Sequence, residues 1–236
     1  MKFGVTQRFD CNYLPSEKEQ LLVCMAESVD LPKVYNQLMH AGFRRSGEQL
    51  YRPHCPDCQA CNSVRVMATQ FTPSKSQKRI INKNKDLSLI LSDHEHDDYY
   101  PLYESYITQL HADGSMFPPS YEQYRNFIRC TWQHPSFLEA RTNDGVLVAV
   151  AVTDIVKDGL SALYTYYSPE FPKRSLGKFM IMQQIEQAKL LRLPYLYLGY
   201  QIDDCRKMNY KTQFLPFERH INNEWQASSE TKNQYK

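Results

Sequence analysis

Residues 160–200 read LSALYTYYSPEFPKRSLGKFMIMQQIEQAKLLRLPYLYLGY, and this stretch decides the fold. LSALYTYY, rich in β-branched and aromatic residues, predicts a strand that breaks at Ser168 to Pro172. An amphipathic helix is expected to begin at Ser175 and to stop just before Pro194, and YLYLGY from Tyr195 to Tyr200 predicts a second strand. Between strand and helix lies FPKRSLGK, Phe171 to Lys178. The first N–H groups of a helix have no partner within it, so Arg174, Gly177 and Lys178 at this start suit a negatively charged ligand. Many helices begin with Ser or Gly near a Lys and bind nothing, so the spacing alone carries little.

The neighbourhood carries more. Phe137 to Arg141, the turn TNDG, the run VLVAVAVTDIV from Val146 to Val156, then KDG, predict antiparallel strands joined by hairpins before the strand already named. Three antiparallel strands that feed a helix and return as a further strand resemble the acyl-CoA N-acyltransferase (GNAT) layout. The resemblance puts Arg174 to Gly177 where those enzymes hold the pyrophosphate of coenzyme A. Tyr99 to His111 and Tyr121 to Gln133 predict two helices, separated by a loop that Pro118 and Pro119 enforce. These would be the two helices between the first and second strands of that layout. The expected fold is therefore α+β: a GNAT-like mixed, mostly antiparallel sheet flanked by helices, over residues 71–236. A small Cys-containing N-terminal subdomain is expected over residues 1–70.

A chain of 236 residues is long enough for a sizeable core. Its 42% hydrophobic and 13% aromatic content is that of an ordinary globular protein, and no apolar run approaches the roughly 20 residues of a membrane helix. MKFGVTQRFD has no apolar segment of a secretion signal, and seven cysteines without one argue for a reducing compartment; the expected location is the cytoplasm. The net charge of +2 says nothing about nucleic acid, but its distribution does: KSQKRIINKNK, Lys75 to Lys85, holds five cations and no acid. Such a run is either a solvated helix face or a phosphate-binding one.

In the N-terminal part, Leu31 to His40 predicts a short helix ended by Gly42, and YRPHCPDCQACNSVRV places Cys55, Cys58 and Cys61 at two successive CxxC spacings. Three thiolates on one turn can share a soft metal such as zinc or belong to an iron–sulfur cluster, or simply pack; a closed tetrahedral site needs a fourth ligand. Ser63 to Thr69 and Leu87 to Leu91 predict strands, Asp203 or Asp204 a cap for a short helix carrying Arg206, Lys207 and Lys211, and Phe217 to Ile221 a last strand before a polar tail, Ser228 to Lys236.

Taken together, Cys11-Asn-Tyr-Leu-Pro, YRPHCPDCQACNSVRV, FTPSKSQKRIINKNKDL, YYSPEFPKRSLGKFMIMQQIE and YLGYQIDDCRKMNYK resemble the aminoacyl-tRNA–protein transferases, and more narrowly the bacterial branch that adds leucine to N-terminal Asp or Glu. The resemblance runs from near residue 10 to near residue 220. It implies transfer of leucine from Leu-tRNA to the α-amine of proteins with an acidic first residue, which tags them for degradation, and it requires no cofactor for the transfer. By analogy Cys11 is the fourth metal ligand, with His54 behind it. The arginyl-transferring relatives pair two cysteines near the N-terminus, whereas Leu14 stands here where a second would follow Cys11.

Under this resemblance the tRNA acceptor end would lie on Arg79, Lys83, Arg174, Gly177 and Lys178, and an acidic first residue would be read by Arg79, Lys207 or Lys211. The strand edges at Tyr164 to Tyr167 make Tyr166 and Tyr167 the candidates to touch the reacting atoms. Three other readings stay open: arginine as the transferred group, a CoA-dependent N-acetyltransferase, and a non-catalytic metal-stabilised nucleic-acid-binding protein.

Overall fold

The computed structural model describes residues 1–27 and 29–228; the polar tail expected from Ser228 lies, from residue 229 on, outside the described residues. The chain runs through β1 (Phe3–Val5), β2 (Phe9–Asp10), β3 (Lys18–Glu19), β4 (Leu21–Cys24), α1 (Leu31–His40), β5 (Arg44–Ser46), β6 (Gln49–Pro53) and β7 (Asn62–Met67). It continues through α2 (Lys75–Lys83), β8 (Ser88–Ser92), α3 (Tyr99–Leu110), α4 (Tyr121–Ile128), β9 (Ser136–Arg141), β10 (Leu147–Val156) and β11 (Gly159–Tyr167). Then follow α5 (Leu176–Leu190), β12 (Tyr195–Gln201), α6 (Arg206–Asn209), β13 (Phe217–Ile221) and β14 (Glu224–Ala227).

An eight-stranded sheet in the order β14-β13-β7-β12-β11-β10-β9-β8 forms the centre, and a four-stranded sheet, β1-β4-β6-β5, stands beside it. All neighbours in the large sheet are antiparallel except β11 and β12, which α5 connects in parallel. The architecture is thus α+β with a mostly antiparallel sheet flanked by helices. β7 precedes residue 70, yet it is hydrogen-bonded between β12 and β13.

Alternation along the strands sorts the core into two faces. Ala149, Ala151, Leu138 and Leu160 face α5, where Leu176, Phe179, Met180 and Ile185 cover them. On the opposite face Val150, Val152, Phe137 and Tyr166 pack under Tyr99, Tyr103, Tyr106 and Tyr124 of α3 and α4. β10 is buried on both faces, which is why its sequence reads as a continuous apolar run.

Several boundaries differ from expectation for local reasons. The helix expected to reach Gln133 stops at Ile128, because the Glu48 carboxylate accepts from the Thr131 N–H at 2.7 Å and pulls the chain into an extended course. The short helix α6 is preceded by Cys205 rather than capped by an aspartate; Asp203 instead receives both Arg219 Nη atoms at 3.1 Å. Phe217–Ile221 is not the last strand, since Asn222 and Asn223 at positive φ turn the chain back into β14.

Candidate active site

The parallel pairing of β11 with β12 lasts only from Gly159↔Tyr195 to Ser161↔Tyr197, after which the strands diverge. A register break between Val152 and Thr153 on the β10 side and another between Tyr197 and Gly199 on the β7 side accompany the split. Divergence leaves carbonyls without a ladder partner, and Arg44 from β5 supplies one: its Nη2 donates to Ala162 O at 3.1 Å and to Tyr197 O at 3.5 Å. Gly199 sits at φ 79°, a conformation in which a side chain is strained. A Cβ there would lie 3.8 Å from both Arg44 Nη2 and Lys211 Nζ. Lys211, buried, donates to Tyr200 O and lies 3.6 Å from Met208 Sδ. Burial, and then the nearby Arg44 charge, lower its ammonium pKa to about 7. On the α3 side of β11, Tyr106 packs against both Tyr164 and Tyr167.

The turn before α5 meets the end of α2. A capping box fixes the start of α2, Ser74 Oγ accepting from Gln77 N and Gln77 Oε1 from Ser74 N. At its other end Lys83 Nζ donates to Lys173 O and Asn84 Nδ2 to Arg174 O, each at 2.9 Å. Arg79 lies one turn before Lys83, so the cation-bearing helix and the Arg174 turn are neighbours. Arg174 is held by Asp86 through two hydrogen bonds of 2.9 and 2.8 Å, and Lys178 Nζ donates to Gln213 Oε1 at 2.7 Å. Gly177 is where Tyr167 comes closest: a Cβ would meet the ring at 3.0 Å. Lys83, Arg174, Gly177 and Lys178 therefore come together where α2 ends and α5 begins, and Arg79 stands one turn earlier on α2.

The remaining candidates separate. Tyr166 is turned away from the split: it is 0% exposed, and its hydroxyl pairs with that of Tyr124 at 3.0 Å inside the α3–α4 core. Burial, then Tyr124, push its pKa well above the usual phenol value, so a role for Tyr166 at the reacting atoms is corrected to a packing role. Tyr167 is half-buried beside Gly177. Lys207 is exposed and paired with Asp113 at 2.7 Å, Arg79 is exposed on α2, and Lys211 is buried in the split, so these three cations do not share a site. Sequence patterns did not single out Arg44; two adjacent arginines between Phe43 and Ser46, in a short segment bounded by Gly42 and Gly47, were the available signal.

Cys11, Cys55, Cys58 and Cys61 line one cavity of about 520 Å³ with His54, Tyr200 and His220. Burial raises the Cys61 thiol pKa to about 12, with further contributions from Cys11, Cys55 and Cys58 in that order. Among the described residues no three His, Cys, Asp or Glu side chains are set to hold a metal ion. The soft donor set suits zinc or a cluster, but the thiols as placed line a space rather than converge on one point.

A family model described as "Arginine-tRNA-protein transferase, N terminus" matches residues 9–79, and one described as "Arginine-tRNA-protein transferase, C terminus" matches residues 98–221. The chain is 51% identical to the aspartate/glutamate leucyltransferase of Pseudoalteromonas atlantica, covering 97% of this chain and 98% of that one. It is 50% identical to the aspartate/glutamate leucyltransferase of Aeromonas hydrophila, covering 95% and 94%. Among solved structures, that of L-PGS from Bacillus licheniformis matches with a TM-score of 0.49 and 11% identity, covering 85% of this chain and 69% of that one. On the two family models and the near-complete coverage of these relatives, the chain belongs to the arginine-tRNA-protein transferase family.

Proposed function

We propose that this protein, an aminoacyltransferase, moves leucine from Leu-tRNA to the α-amine of proteins that begin with Asp or Glu, in the cytoplasm, and so marks them for degradation. The observation that carries the reading is the 51% identity over 97% of the chain to a relative named for that transfer. The layout of β9, β10, β11, α5 and the split β12 supports the GNAT-like description.

The chemistry is aminolysis of an ester. The amine nitrogen bonds to the carbonyl carbon that joins leucine to the ribose, a tetrahedral oxyanion forms, and the C–O bond to the ribose breaks. The amine gives up a proton and the departing oxygen takes one. A free α-amine has a pKa of about 7.7–8.0, so a useful fraction is neutral at cellular pH and a strong base is unnecessary. The site's task is alignment and stabilisation of the oxyanion. Beyond Ser161 the edge of β11 that faces β12 has no strand partner among the described residues, and its backbone N–H groups are the donors we assign to the oxyanion. Phosphates of the acceptor end lie on Arg79, Lys83, Lys178 and the α5 start, with Arg174 exchanging part of its Asp86 pairing for phosphate. Zinc or an iron–sulfur cluster at Cys11, Cys55, Cys58 and Cys61 is proposed on the shared cavity and the donor set alone, and no step of the transfer passes through it.

The test is to supply purified protein with labelled Leu-tRNA and a peptide beginning with Asp. Label should appear on the peptide. Label arriving from acetyl-CoA and not from Leu-tRNA would replace this reading with an N-acetyltransferase.

A further inference from the structure

Two buried cations meet in the split between β11 and β12, and among the described residues no acid pairs with either. Arg44 is 4% exposed and Lys211 7%. Both reach within 3.8 Å of the single point that a Gly199 side chain would fill. Their partners are neutral: carbonyls of Ala162, Tyr197 and Tyr200, and the Met208 sulfur. Arg44 Nη1 is buried and has no hydrogen-bond partner among the described residues. Burying a charge is costly unless it is paired, and two like charges side by side add repulsion. An arrangement of this kind is complete only when an anion enters it.

We propose that Arg44 and Lys211 together receive the side-chain carboxylate of the substrate's acidic first residue. This inference rests on the transferase reading above and adds the pair that sets specificity. Size and reach favour a carboxylate over a tRNA phosphate. A phosphodiester is held within a polymer, and the exposed cations of α2 and the α5 start already offer it an open surface. A carboxylate is separated by one or two methylenes from the carbon that bears the reacting amine. Anchoring it beside Gly199 therefore leaves that amine one side-chain length away, next to the unpaired edge of β11. Asp and Glu differ by one methylene, which a long lysine head can follow. Asn has the same shape as Asp, yet it brings no charge and presents N–H groups, so the cations reject it.

The missing Cβ of Gly199 has a meaning in this scheme, since any side chain there would fill the point the two cations share. The low ammonium pKa of Lys211 fits too, because an incoming carboxylate would restore the favourable environment that burial removed.

The experiment compares peptides that begin with Asp and with Asn, using wild-type protein and Lys211→Met. Wild type should favour the Asp peptide strongly. In Lys211→Met, kcat/KM for the Asp peptide should fall on the order of 10- to 100-fold, the worth of a charged hydrogen bond. The Asp-over-Asn ratio should collapse with it while KM for Leu-tRNA stays the same. A variant that keeps the wild-type ratio, or loses transfer only through a raised KM for Leu-tRNA, overturns the assignment. Wild type that transfers leucine to neither peptide sinks the transferase reading itself. A crystal structure of wild type with an Asp-initiated peptide decides the matter if the variant fails to fold: the carboxylate should touch Lys211 Nζ and Arg44 Nη1, and a carboxylate bound elsewhere refutes the proposal.

Discussion

Arg44 bridges the two strands that part company, its Nη2 reaching Ala162 O at 3.1 Å and Tyr197 O at 3.5 Å. The residue that pins the split of the large sheet thus comes from the small one. Removing it would take the side-chain donor from two carbonyls, that of the half-buried Ala162 and that of the buried Tyr197. Arg44→Met should lower unfolding stability by about 1–3 kcal/mol, read from the denaturant midpoint. No change in midpoint would mean that the split holds its shape unaided.

A second tie between the sheets is buried outright. Arg45 donates to both carboxylate oxygens of Asp154 at 2.6 and 2.9 Å, and Tyr35 donates to the same carboxylate at 2.7 Å. Both charged side chains are 0% exposed, so loss of one strands the other in the interior. Asp154→Asn should cost about 3–5 kcal/mol by equilibrium unfolding, well beyond what an exposed pair such as Lys207–Asp113 would show on the same test.

Lys211 gives stability a pH dependence of known sign. Its folded pKa, about 7, lies below the ordinary lysine value of 10.5. Between those values the unfolded chain binds the proton more tightly, so the penalty is complete below about 7 and fades as pH rises toward 10.5. Arg44, Cys205 and Cys61 are the charged or titratable groups that act on it. The melting temperature of wild type should therefore climb relative to that of Lys211→Met as the pH is raised from 7 to 9. Parallel curves for the two proteins would show that Lys211 keeps an ordinary pKa.

Binding to the acceptor end should be electrostatic and divided. Arg79→Ala and Lys83→Ala should each weaken Leu-tRNA binding and reduce the log–log salt slope by about 0.7 for every single-strand phosphate that is no longer neutralised. Arg174→Ala should do less, because Asp86 already holds that guanidinium by two hydrogen bonds. Filter binding across a salt series measures all three. Unchanged slopes would move the acceptor end off this surface.

Much of this was legible in the chain. The hairpin signal TNDG and the apolar run after it placed β9, β10, β11, β12 and the start of α5 to within a residue, because each is specified by its own local pattern; α5 ends at Leu190, three residues earlier than Pro194 alone would set, with Arg192 at positive φ turning the chain. The hydrogen bonds from Lys83 and Asn84 to the Arg174 turn join two basic segments that are distant in sequence. What escaped is non-local. The insertion of β7 between β12 and β13 depends on pairing across more than a hundred residues, and the short strands of the small sheet are too brief for a period to show. Tyr166 and Tyr167 look alike in sequence; alternation along β11 sends one into the core and leaves the other beside Gly177. Arg44 had no motif at all, and only the divergence of two strands gives it a task.

Donor and acceptor choice are read together from a matrix of initial rates, with Leu-tRNA or Arg-tRNA as donor and peptides beginning with Asp, Glu, Asn or Gln as acceptors. Product should form from Leu-tRNA with Asp and Glu peptides, and little from any other combination. Equal rates with the amide peptides, or transfer of arginine in place of leucine, would contradict the proposed transfer.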